Sequence, residues 1–144
     1  MEWLLTVLII LLVVFILWAS LTHGISGRFI YVDKRKKDVT LHMAIFGTPR
    51  NKKDVHKLNT SFVNTLKKLK KYGRTSVSLE SHLIDSKRLA MLHRLALRDG
   101  YSIVNVRHFP TPRWQRFFIP VSIALLRFKI VKVNPQSCSL TIIL

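Results

Sequence analysis

Hydrophobic positions fall along this chain in three patterns: one unbroken run, short alternating stretches, and two stretches with 3–4 spacing. The unbroken run comes first, with no charged residue from Trp3 to Leu21. At ~1.5 Å per helical residue it reaches about 28 Å, close to the ~30 Å hydrocarbon core of a bilayer. Trp3 and Trp18 stand near its ends, where amphipathic indoles favour the headgroup level. Residues 1–22 are therefore expected to form a transmembrane anchor. A cleaved secretory signal would carry a basic amino-terminal region and small residues at its cleavage site. Here only Met1-Glu2 precedes the run, and Ala19-Ser20-Leu21 makes a poor site.

The alternating stretches predict strands. Residues 28–32 and 39–46 read as a pair joined by the turn 33–38, a hairpin. Residues 75–81 and 101–107 read as two further strands, and 128–133 and 138–143 as a closing hairpin turning at 134–137. His23 to Gly27 is expected to be a flexible joint, and residues 47–51 a loop.

The 3–4 spacing predicts two helices. In residues 54–72, Val55, Leu58, Phe62, Leu66 and Leu69 form a buried stripe, with Asp54 as N-cap and Gly73 just past the end. The second helix spans 86–98, with Asp85 as N-cap and Gly100 as its stop. Strand, helix, strand, helix, strand over 39–107 is the pattern of successive crossovers onto a parallel sheet. The expected fold class is α/β: a single amino-terminal transmembrane helix followed by a small mixed-sheet domain, 28–144, with two or three helices.

A third helical segment is ambiguous. Thr111-Pro112 suits a helix start. Beyond it, Arg113, Arg116, Pro120 and Arg127 share one stripe, opposite Trp114, Phe117, Phe118, Val121 and Leu125. Residues 112–127 fit a membrane-interface helix, aromatic side down and arginines at the phosphates, and equally a core helix. The ten-residue apolar run 117–126 is too short to span a bilayer, and Pro120 is expected to kink or split the helix.

Charge adds a second dimension, because the chain carries a formal +17. Arg28 and Lys34–Lys37 follow the apolar run closely, which places the amino terminus outside and the domain in the cytosol. Lys34, Arg35, Lys36, Lys37, Lys57, Lys67, Lys68, Lys70, Lys71 and Arg74 are the candidate polyanion-binding residues. Trp3, Trp18, Arg113, Trp114, Arg116, Phe117, Phe118 and Arg127 are the candidate membrane-interface residues. Expected partners are the membrane, with its anionic headgroups, and an acidic protein or nucleic acid.

Chemistry is sparsely signalled. Phosphate loops, nucleophile elbows, zinc motifs and paired cysteines are absent from the sequence, and the single Cys138 falls in an alternating apolar run as a packed thiol. Glu80 and His82 alternate near the carboxyl end of a predicted parallel strand, where open α/β sheets bind ligands. With Asp85 and His108 they form the candidate acid–base cluster. No cofactor, metal or small-molecule substrate is indicated. The composite expectation is a non-enzymatic accessory or scaffold protein on anionic lipid. The alternatives are a membrane-tethered nucleic-acid binder and a small membrane-bound enzyme using Glu80, His82 and His108.

Overall fold

The computed structural model describes residues 1–44, 49, 51–128 and 130–144, and only the backbone of Leu126 and Arg127. Among these it holds α1 (Glu2–Thr22), β1 (His23–Ser26), β2 (Phe29–Val32), β3 (Asp38–Met43), α2 (Lys52–Lys71) and β4 (Ser76–Ser81). Then follow α3 (Ser86–Arg98), β5 (Ser102–Pro110), α4 (Arg113–Arg127) and β6 (Gln136–Ile143). The architecture is α/β: an apolar amino-terminal helix and a mixed sheet ordered β1-β2-β3-β4-β6-β5.

Helix α1 is long and apolar enough to cross a membrane. No residue of it is buried, so it projects from the sheet instead of filling a core. It passes directly into β1, whose first residue, His23, is extended and meets the Trp18 ring edge-on, with centroids 5.5 Å apart. The expected joint at 23–27 is therefore corrected. These residues are a sheet strand and its turn, registered from His23↔Val32 to Ser26↔Phe29. The glycines there mark close approach and turning. A Cβ on Gly24 would collide with the Tyr31 ring, and Gly27 holds φ +57° beside Ser61.

β3 and β4 are parallel, as the crossover pattern predicts. β5 runs in the same direction as β4 but does not adjoin it, because β6 lies between them, antiparallel to both. That insertion corrects the expected closing hairpin. β6 has both edges occupied, which leaves no edge for residues 128–133; among these, 130–133 have no strand structure, and Lys129 lies outside the described residues. The strand expected over 39–46 ends at Met43; Ile45 and Phe46, and most of the loop at 47–51, also lie outside them.

Alternation sorts the sheet into two faces. The row Tyr31, Leu41, Leu79 and Leu140, with Val39, Val77 and Ile142 on neighbouring rows, packs under α2 and α3 through Phe62, Leu66, Leu69, Leu92 and Ala96. Cys138 is fully buried in this core, and burial raises its thiol pKa. The other face carries the row His23, Val32, Thr40, Ser78, Thr141 and Val104. None of these residues is fully buried: five are half-buried and Val104 is exposed, so this face lies outside the main core.

Helix α2 begins two residues earlier than expected. Its cap is Asn51, whose side chain accepts from the Asp54 amide at 2.9 Å, so Asp54 is not the cap. Asp85 caps α3 as predicted, accepting from the Arg88 amide at 2.8 Å. Gly73 and Gly100 take the left-handed conformation just past the two helices.

Helix α4 is not a core helix. Trp114, Phe117, Phe118 and Leu125 are each more than half exposed, and only Ile123 of its described side chains is buried. Thr111 does not cap it. The residue is buried, and its hydroxyl binds the Asn134 carbonyl at 2.7 Å and the Ser137 hydroxyl at 2.8 Å. The helix runs unbroken through Pro120.

Candidate functional site

The β3–β4 ladder is registered from Asp38↔Ser76 to Leu41↔Leu79 and goes no further. Both strands continue two residues beyond it, to Met43 and Ser81, so their carboxyl ends part company. Helices α2 and α3 bracket that parting from above. The result is a cleft of about 340 Å³, within the ~300–1,000 Å³ range of small-molecule sites. It opens at the carboxyl edge of the parallel strand pair, the place where open α/β sheets take ligands.

Its wall is mainly apolar: Phe29 and Met43 from the sheet, Val55, Leu58 and Phe62 from α2, Leu83, Ile84, Met91 and Leu92 from α3 and its lead-in. Asn59, Glu80, Asp85, Lys87 and Arg88 supply the polar groups. Several of these are already engaged. The Asn59 amide lies 3.3 Å from the Met91 sulfur, Asp85 caps α3, and Arg88 donates to the Leu83 carbonyl at 2.7 Å.

The cleft explains a departure from the predicted stripe on α2. Phe62, Leu66 and Leu69 are buried, but Leu58 is only half-buried and Val55 is exposed. Val55 and Leu58 face the cleft, Phe62 borders both cleft and core, and Leu66 and Leu69 lie in the core alone. A continuous apolar stripe gives no sign of where core ends and cavity begins, so sequence reasoning missed these residues.

Of the candidate acid–base cluster, Glu80 and Asp85 border the cleft. Glu80 is exposed and shares its row with Ser139 and Arg107 on the face away from the core. His82 lies just past β4, half-buried, and its pKa is lowered by desolvation and by the Arg88 charge. His108 is exposed in β5, on the row of Cys138 and Ser81. Neither histidine is among the lining residues. Among the described residues no group of three or more His, Cys, Asp or Glu could hold a metal.

The basic residues separate into two sets. Lys34, Arg35, Lys36, Lys37, Lys70 and Lys71 are exposed, and Arg74 binds the Lys36 carbonyl through Nη1 at 2.6 Å. Lys67 pairs with Asp99 at 3.5 Å, and Lys68 reaches the Ile25 carbonyl at 3.5 Å. Lys57 stands exposed in the amino-terminal part of α2, fourteen residues from Lys71 and so ~21 Å along the helix. Trp3, Arg113 and Arg116 are exposed, with Arg116 also bound to the Pro135 carbonyl at 3.0 Å; the side chain of Arg127 lies outside those described.

No protein-family model matches this chain, and no curated protein matches it. It is similar in structure to the Bacillus subtilis acetyltransferase solved in complex with CoA. The identity is 15% and the TM-score 0.45, over 84% of this chain and 70% of that one. That neighbour is an enzyme, which stands against the expected non-enzymatic accessory or scaffold protein, and that expectation is withdrawn without an activity being assigned in its place. A likeness of this degree carries nothing about the ligand, which has to be read from the cleft itself.

Proposed function

We propose that this chain is a membrane-anchored α/β domain that takes a small molecule with an apolar arm into the cleft between α2 and α3. The observation that carries the reading is the early end of the β3–β4 ladder at Leu41↔Leu79, with an apolar cavity formed over the parted strand ends. Apolar side chains left facing a cavity lose the packing that a filled core provides. A ligand arm restores those contacts, and its polar end meets Lys87, Glu80 and water at the mouth.

The test is a photoreactive probe with a short acyl arm, applied to the full-length protein in phosphatidylcholine nanodiscs and mapped by mass spectrometry. Labelling is expected on residues 55–62 and 79–92, and Met91→Trp, which fills the cleft, should remove it. Labelling of α1 by lipid-dissolved probe serves as the internal control. Label confined to α1, or cleft label indifferent to Met91→Trp, would sink the proposal.

We also propose that α1 spans the bilayer with the amino terminus outside and the domain in the cytosol. The support is the positive-inside bias of Arg28 and Lys34–Lys37. In intact cells an impermeant thiol reagent should modify Glu2→Cys and reach Lys36→Cys only after permeabilisation. Buried Cys138 does not compete for the reagent. The opposite labelling pattern overturns the orientation.

A further inference from the structure

Two basic connections far apart in sequence meet at the edge of the sheet where α1 enters it. β1, β3 and β4 all start at this edge: His23 is in register with Val32, Val32 with Thr40, and Thr40 with Ser78. The connections leading into β3 and β4, residues 33–38 and 70–75, therefore lie side by side. Thr75 donates its amide to the Lys37 carbonyl at 3.0 Å, and the Arg74 guanidinium holds the Lys36 carbonyl. The first connection is also fastened to the end of α1. The Lys34 amide donates to the Thr22 carbonyl at 2.8 Å, and its Nζ reaches the Ser20 carbonyl at 3.5 Å.

Together the two connections carry seven Lys and Arg against Asp33 and Asp38. Both acids are engaged locally: Asp33 by Lys36 at 3.7 Å, and Asp38 by the hydroxyls of Thr75 and Ser76. Among these basic residues Tyr72 is 55% exposed. Such a rim is cationic with an aromatic tip, and it sits beside the last turn of an apolar helix.

We propose that this rim docks on the anionic phospholipid headgroups of the bilayer that holds α1, and so points the cleft away from the membrane. The inference rests on the anchored reading of α1. Position selects lipid over other polyanions. With Trp18 at the headgroup level, Lys34 lies within a Debye length, about 8 Å, of the lipid phosphates. A nucleic acid approaching the same rim would have to come against those phosphates. The parallel strands then carry the cleft to the opposite edge of the sheet, beyond Met43 and Ser81. A ligand would enter from the aqueous side.

Hydrogen–deuterium exchange of the full-length protein tests this in nanodiscs of phosphatidylcholine alone and with about 30% phosphatidylglycerol. Amides of 33–37 and 71–75 should exchange several-fold more slowly with the anionic lipid, and added salt should reverse the effect. Lys34→Gln/Arg35→Gln/Lys36→Gln/Lys37→Gln should abolish the difference. The distal set Lys52→Gln/Lys53→Gln/Lys57→Gln should preserve it. Equal loss in both sets overturns the proposal, since net charge alone would then act. So does a rim indifferent to phosphatidylglycerol while α1 stays protected. Stronger protection by a DNA oligonucleotide than by anionic lipid overturns it in favour of nucleic acid. Rapid exchange in α1 would overturn the anchored reading and this one together.

Discussion

Gly24 and Tyr31 lie opposite each other in the β1–β2 ladder, and the Tyr31 ring occupies the space a side chain at position 24 would need. Tyr31 is itself 4% exposed, part of the core under α2. The first strand after α1 is thus held flat on a core residue, which makes the junction between helix and sheet part of the packed domain.

Gly24→Ala should accordingly destabilise the protein by ~1–3 kcal/mol, the usual cost of overpacking a filled site. Thermal unfolding of the full-length protein in nanodiscs measures it. Tyr31→Phe, which keeps the ring and its crowding, should not rescue the variant, whereas Tyr31→Ala should relieve the clash at its own cavity cost. Additive losses in the Gly24→Ala/Tyr31→Ala double variant would contradict the contact.

The stripe on α2 should divide by position. Leu66→Ala removes a side chain that is 1% exposed and should cost ~2–5 kcal/mol. Leu58→Ala, at the half-open cleft, should cost markedly less in stability while weakening retention of the acyl probe. Chemical denaturation separates the two effects. Equal stability losses at both positions would mean that Leu58 belongs to the core and not to a ligand site.

Asn51 and Asp85 each satisfy an amide in the first turn of a helix that walls the cleft. Asn51→Ala and Asp85→Ala should each lose ~0.5–2 kcal/mol, and Asp54→Ala should not reproduce the capping loss of Asn51→Ala. Amide exchange in the first turn of α2 distinguishes the two, since loss of the cap frees the Asp54 amide.

His82 should give the protein a pH dependence with a definite sign. Desolvation, and secondarily the Arg88 charge, lower its pKa in the folded state below the ordinary 6.5. Between that lowered value and 6.5 the unfolded chain binds more protons, so stability is complete above 6.5 and falls as pH drops through the window. His82→Gln should flatten the stability profile below pH 6.5, read as the melting temperature across pH 5 to 8. An unchanged profile would mean that His82 titrates as it does in the unfolded chain.

Features that depend on neighbours a few residues away are legible in the amino-acid order alone. The uncharged run 3–21 dictates a long apolar helix, since helix length and side-chain polarity are local quantities; that none of it is buried is seen only in the fold. Spacing locates α2 and α3 to within two residues, the cap of α3 is Asp85 as expected while that of α2 is Asn51, and the glycines at 73 and 100 end both helices as their backbone freedom requires. Features that depend on which strand lies beside which emerge only in the folded chain. β6 reads as a hairpin partner of 128–133 because adjacent alternating stretches usually pair. Its actual partners, β4 and β5, are selected by a core that Cys138, Leu140 and Ile142 complete from between them. The same nonlocal pairing turned a glycine joint into β1, brought Lys36 against Arg74, and parted β3 from β4 to open the cleft. Those outcomes follow from register, and register is a relation between distant segments that no single stretch of sequence carries.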